Sequence, residues 1–230
     1  MGAAGLGLAV AVAYCAALPA AWAPPPPPPC AQVRSAADCG ARCRPLSAGQ
    51  LKPRRHEATA YHACGGDAGA WQHWDWSRIT SVAQFCSTHA GGYPGNFYAL
   101  MCAAHEHGVR VLSWQDGPSA IDACYNATTG AGVDVTNESA VRAFATAAVN
   151  QTQAWGYDGM IFDIEGGMAG CGTGSALAQA LAVTADAMHA ADPASLVVFS
   201  SPADPNATFP SPPGNMRGAA DWSLIGSKFE

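Results

Sequence analysis

Tyr157-Asp158-Gly159-Met160-Ile161-Phe162-Asp163-Ile164-Glu165-Gly166-Gly167 is the stretch around which the rest of the chain arranges itself. An apolar run, preceded by Gly156 and followed by a glycine pair, predicts a strand over Tyr157–Glu165. Side chains on a strand alternate between faces. Gly159, Ile161, Asp163 and Glu165 then share one face, and Met160, Phe162 and Ile164 share the other. The second face suits packing against helices. The first brings two carboxylates together at the C-terminal end of a buried strand.

Reading outward, Glu138–Trp155 has helical spacing, with Val141, Phe144, Ala148 and Gln151 near one face, and Gly156 ends it. Downstream come a helix over Ser175–Ala191 and a strand over Leu196–Ser200. Upstream, strands are expected at Ala58–Ala63, Ile79–Phe85 and Val109–Trp114, with a helix over Phe97–His107 closed by Gly108. Strands alternating with helices imply parallel pairing through crossover helices. Continuous apolar runs such as Leu196-Val197-Val198-Phe199 suit strands buried on both faces. Periodicity alone does not separate an open doubly wound sheet from a (β/α)8 barrel. No glycine-rich phosphate loop follows the first strand, which argues against a dinucleotide-binding fold.

Composition narrows the function classes. The 230 residues are 49% hydrophobic and 12% charged, with a net charge of −6. A nucleic acid or an anionic membrane surface would call for a basic patch, so neither is expected as a partner. Residues 1–23 read as a signal peptide: Leu6–Leu18 is almost unbroken apolar sequence, and Ala21-Trp22-Ala23 has the small-x-small cleavage pattern. The run is short for the ~20 residues of a membrane span. Six prolines, Pro24–Pro29, form an extended spacer. Residues 24–56 make a Pro-rich and then Cys-rich lead-in, and 57–230 the main domain.

Of nine cysteines, Cys15 lies in the signal, leaving Cys30, Cys39, Cys43, Cys64, Cys86, Cys102, Cys124 and Cys171. An even number in an exported chain suggests disulfides. Cys39 and Cys43 have a spacing that zinc could use, but no second close pair supports it. Sequons at Asn126, Asn137, Asn150 and Asn206 agree with export. The histidines show no metal-site spacing, and His105 and His107 read as a solvated helix end. Trp71, Trp74 and Trp76 read as core, and Trp114, ending the third strand, as a pocket candidate.

Two neighbouring carboxylates raise one another's proton affinity, so one can stay protonated near neutral pH, as a general acid requires. A plainer alternative is a strand that ends in exposed acids before a glycine turn. The pattern Asp158-Gly159-x-x-x-Asp163-x-Glu165 resembles the strand-four signature Asp-Gly-x-Asp-x-Asp-x-Glu of family 18 glycoside hydrolases. The flanks resemble the di-N-acetylchitobiase branch: Asp75-Trp76-Ser77-Arg78-Ile79-Thr80-Ser81-Val82-Ala83, Leu100-Met101-Cys102-Ala103-Ala104-His105, Gly108-Val109-Arg110-Val111 and Ser200-Ser201-Pro202.

That resemblance, from about Ala58 to Pro202, implies an incomplete (β/α)8 barrel of about five strand–helix units. It implies hydrolysis of β-1,4-linked N-acetylglucosamine glycans, such as chitobiose, chito-oligosaccharides or the glycoprotein glycan core, with the substrate's own N-acetyl oxygen as nucleophile. Glu165 would protonate the leaving oxygen and then activate water. Asp163 would orient the acetamido group. Asp158, facing away from the pocket by strand parity, would support them. No cofactor or metal is implied, and a complete protein would be a monomer, extracellular or lysosomal. Ile161 stands where the family has Asp or Asn, and the family's later Met-x-Tyr-Asp segment has no counterpart up to Glu230. Both departures keep open a catalytically inactive sugar-binding relative. A further alternative is an unrelated secreted, disulfide-rich interaction protein.

Overall fold

The computed structural model of the chain describes residues 29–53, 56–63, 69–85, 97–114, 132–163 and 174–200. Five strands, β1 (Thr59–Ala63), β2 (Ser81–Phe85), β3 (Arg110–Trp114), β4 (Gly159–Asp163) and β5 (Leu196–Ser200), form one sheet. Every neighbouring pair is parallel, and the spatial order β1-β2-β3-β4-β5 follows the chain. A doubly wound sheet reverses its order at a switch point. This sheet has no reversal among the described strands. Right-handed crossovers that all step the same way leave every helix on the same face.

The core shows this arrangement directly. The helices are a short α1 (Ala36–Cys39), α2 (Phe97–Glu106), α3 (Glu138–Trp155) and α4 (Gly174–Ala191). Val82 and Val111 pack with α2, whereas Met160, Phe162 and Val197 pack with Phe144 and Ala148 of α3 and Leu181 and Met188 of α4. Ladder register puts all five strand residues on one face of the sheet. Helices outside a sequentially wound parallel sheet make an incomplete (β/α)8 barrel, which settles the alternative that periodicity left open.

Local chemistry fixes the ends of the elements. Asn137 caps α3, its side chain accepting from the Ser139 and Ala140 amides. Glu138 adds a negative charge at the positive end of the helix and pairs with Arg142 one turn on, at 2.7 Å. Gly156 ends α3 at φ +77°, and a Cβ there would lie 2.0 Å from the Cys43 carbonyl oxygen. Only glycine meets both conditions. The expected helix and strand positions are thus recovered, with β1, β2, β3 and β4 starting one to two residues inside the expected ranges. Ile164 and Glu165 lie outside the described residues.

The lead-in takes up a place in the barrel wall. Cys30 is bonded to Cys102 of α2, and Cys39 to Cys43, so the Cys39/Cys43 spacing serves a disulfide and not zinc. Arg42 pairs with Glu106 at 3.3 Å. The Lys52 amide donates to the Gly108 carbonyl, and the Lys52 ammonium donates to the carbonyls of Trp76, Ser77 and Ile79. With α2 covered by β-sheet on one side and the lead-in on another, eight of its ten residues are buried.

Candidate active site

At the base of β4, Asp158 is almost fully buried and accepts three hydrogen bonds. The donors are the Leu46 amide at 2.6 Å, the Val111 amide at 2.7 Å and His105 Nε2 at 2.8 Å. His105 was expected in a solvated helix end. It is instead buried, because the lead-in covers that turn of α2. Its Nδ1 faces the Arg42 carbonyl at 2.6 Å, so the ring bridges the lead-in and the base of β4. Its partners lie 63 and 53 residues away in sequence, so local spacing could not reveal them. His107 does stay exposed, stacked on Trp76 with centroids 5.6 Å apart.

Gly159 follows, at φ +155°, where a Cβ would meet the Leu196 carbonyl oxygen at 1.9 Å. The glycine lets β5 close on β4, while the Leu196 amide donates to the Asp158 carbonyl at 2.9 Å. Two residues on, Ile161 is fully buried on the sheet face opposite the helices and is paired with Trp114 in the ladder. The backbone of Asp163 is paired with that of Ser200 at the C-terminal end of the sheet. At ~3.3 Å per residue, positions 158 and 163 stand about 16 Å apart. Asp158 therefore belongs to the base, away from the end at which barrel enzymes carry their sites. Glu165 lies outside the described residues.

The inner face also carries an aromatic row that sequence reading found only in part. Trp114 lies 5.0 Å from Phe85, and Phe85 lies 5.2 Å from Tyr61, centroid to centroid. Tyr61 is 56% exposed, and the Trp114 indole Nε1 is buried without a hydrogen-bond partner among the described residues. Tyr61 and Phe85 had a signal in strand alternation, since each falls on the parity of the inner face. Of the three tryptophans expected in the core, Trp71 is buried, and Trp74 and Trp76 pack partly buried against the α2 cluster.

No family model and no curated protein matches the sequence. The fold is shared with chitinase catalytic domains. One solved neighbour is catalytic domain 2 of the Group II chitinase of the moth Ostrinia furnacalis, at 18% identity and a TM-score of 0.53. A mutant of that domain in complex with penta-N-acetylchitooctaose matches equally well. The alignments cover 76% of this chain and 49% of the moth domain, so the chain spans about half the length of these neighbours. The two disulfides fit an extracellular or secretory protein. Among the described residues, no helix is long and apolar enough to cross a membrane.

Proposed function

We propose that this chain carries the first strands of a family 18 glycoside hydrolase barrel, di-N-acetylchitobiase-like, which hydrolyses β-1,4-linked N-acetylglucosamine glycans. The observation that carries the reading is positional. Gly159–Asp163, the described part of the signature that begins at Asp158, forms the fourth strand of a sequentially wound parallel sheet whose fold neighbours are chitinase catalytic domains. The ladder puts positions 161 and 163 on the inner-face parity, strand alternation in the sequence would carry Glu165 to the same face, and β4 directs its C-terminal end toward the mouth. There Glu165 acts as general acid and then as general base, while Asp163 orients the acetamido group whose oxygen attacks the anomeric carbon. Asp158 supports them by fixing the base of the strand. Trp114 lines the floor and offers its indole N–H to a sugar oxygen. The leader 1–23 is removed and the protein enters the secretory pathway. The lead-in 24–56 then packs on the catalytic unit that begins at 57.

A second reading, a sugar-binding relative without turnover, is favoured by Ile161. Its buried apolar side chain stands where an inner hydrogen-bond partner for Asp163 is implied. One experiment separates the two. Chitobiose binding and cleavage are measured on a chain that includes all eight strands, for the parent, Glu165→Gln and Ile161→Asp. Hydrolysis predicts that Glu165→Gln loses about 10² to 10⁴ in rate while binding survives. The second reading predicts binding without cleavage in the parent. Cleavage by Glu165→Gln at the parent rate would remove Glu165 from the mechanism.

A further inference from the structure

The sequon Asn137-Glu138-Ser139 has no part in the hydrolytic reading, yet the fold gives it a definite setting. All three residues are exposed. Asn137 is extended, at φ −102° and ψ 106°, and caps α3 through its side-chain oxygen alone. Oδ1 accepts from the Ser139 amide at 3.0 Å and from the Ala140 amide at 3.3 Å. A carboxamide that caps through oxygen leaves Nδ2 free of that duty. The other sequon of α3, Asn150-Gln151-Thr152, differs, since Thr152 lies in the packed face of the helix.

We infer that Asn137 is an N-linked glycosylation site whose glycan stands at the rim of the barrel mouth. The donor is an oligosaccharide carried on a lipid pyrophosphate. Nδ2 forms a bond to the anomeric carbon and gives up one proton to the solvent. The bond from that carbon to the pyrophosphate oxygen breaks, and the lipid pyrophosphate leaves with the electron pair. Oδ1 takes no part in the new bond, so the helix cap persists in the modified protein. The location follows from topology. β3 ends at the mouth, and α3 then runs back for about 27 Å at 1.5 Å per residue to the base, where Gly156 leads into β4. Asn137 therefore lies on the side where the C-terminal strand ends open, and Asn150 lies toward the base.

The inference rests on the secretory routing proposed above, and the test separates the two. The full chain is expressed in a eukaryotic secretory host, once with its own leader and once with a generic secretion leader in place of residues 1–23. Material is treated with a peptide amidase that releases N-glycans, and the peptide containing position 137 is mapped by mass. Conversion of Asn137 to aspartate under both leaders supports the site and the routing. Conversion under the generic leader alone supports the site and removes the routing. An unmodified Asn137 in chain secreted by the generic leader overturns the inference. Ser139→Ala destroys the sequon without touching the cap, and Asn137→Asp destroys it while keeping a capping oxygen. Both should lose the glycan at 137 and melt as the amidase-treated parent does. A glycan at 137 surviving in Ser139→Ala would overturn the sequon-directed modification.

Discussion

Replacing Asp158 with alanine should strongly destabilise the fold. The carboxylate is the shared acceptor for the Leu46 amide, the Val111 amide and His105 Nε2, at 2.6 to 2.8 Å. Removing it leaves three donors without that acceptor where water scarcely reaches. Each orphaned buried donor costs about 1–3 kcal/mol. These contributions share one side chain and do not add, so about 4 kcal/mol is expected. Urea unfolding followed by tryptophan fluorescence would read the change. With a slope of about 2 kcal/mol per molar, the midpoint should fall by about 2 M. Hydrogen exchange should report faster opening at the Leu46 and Val111 amides, which belong to the lead-in and to β3. A double-mutant cycle with His105→Gln should show coupling of about 1–3 kcal/mol. A loss below about 1 kcal/mol, or unchanged protection at both amides, would refute the view that this carboxylate ties lead-in, α2, β3 and β4 together.

Three further outcomes are expected. Gly159→Ala sets a methyl against the Leu196 carbonyl and should cost at least about 3 kcal/mol through separation of β4 from β5, seen as a lowered Tm and faster exchange at the Leu196 amide. Cys30→Ala with Cys102→Ala opens a 72-residue loop and should lower stability by about 2–5 kcal/mol in denaturant titration, with the lead-in becoming sensitive to protease. Asp75 accepts from the Ser77 hydroxyl and amide, which hold its carboxyl below the ordinary aspartate value of 3.8. Because that value is depressed in the folded state, the turn keeps its support above 3.8 and loses it only as pH falls beneath. Exchange at the Ser77 amide, corrected for intrinsic rate, should rise there and not between pH 5 and 7.

Much of the architecture was legible from local rules. Gly156 ends α3 at φ +77° and Gly108 closes α2 at φ +66°, because left-handed glycines act within a few residues, whereas the Asn137 cap of α3 was not read from the sequence. Alternation put Met160 and Phe162 on the helix-facing side of β4, where they are found packed on α3 and α4. It carried equal information about Tyr61 and Phe85, but two five-residue strands do not reveal from spacing which of their faces turns inward.

What the sequence by itself determined was the order and kind of the elements, and the strand that ends at Asp163. These depend on interactions within a turn of helix or along one strand. Tertiary structure decided the rest, because the deciding contacts join residues far apart in the chain. Strand order separates a barrel from a doubly wound sheet, yet both share the same alternation of strand and helix. Nine cysteines allow many pairings, and the Cys30–Cys102 bridge exists because the lead-in packs on α2. His105 looked like a solvated helix end until Arg42 and Asp158 closed over it from opposite sides, 63 and 53 residues away. A buried charge needs partners, and only the folded chain brings them within reach.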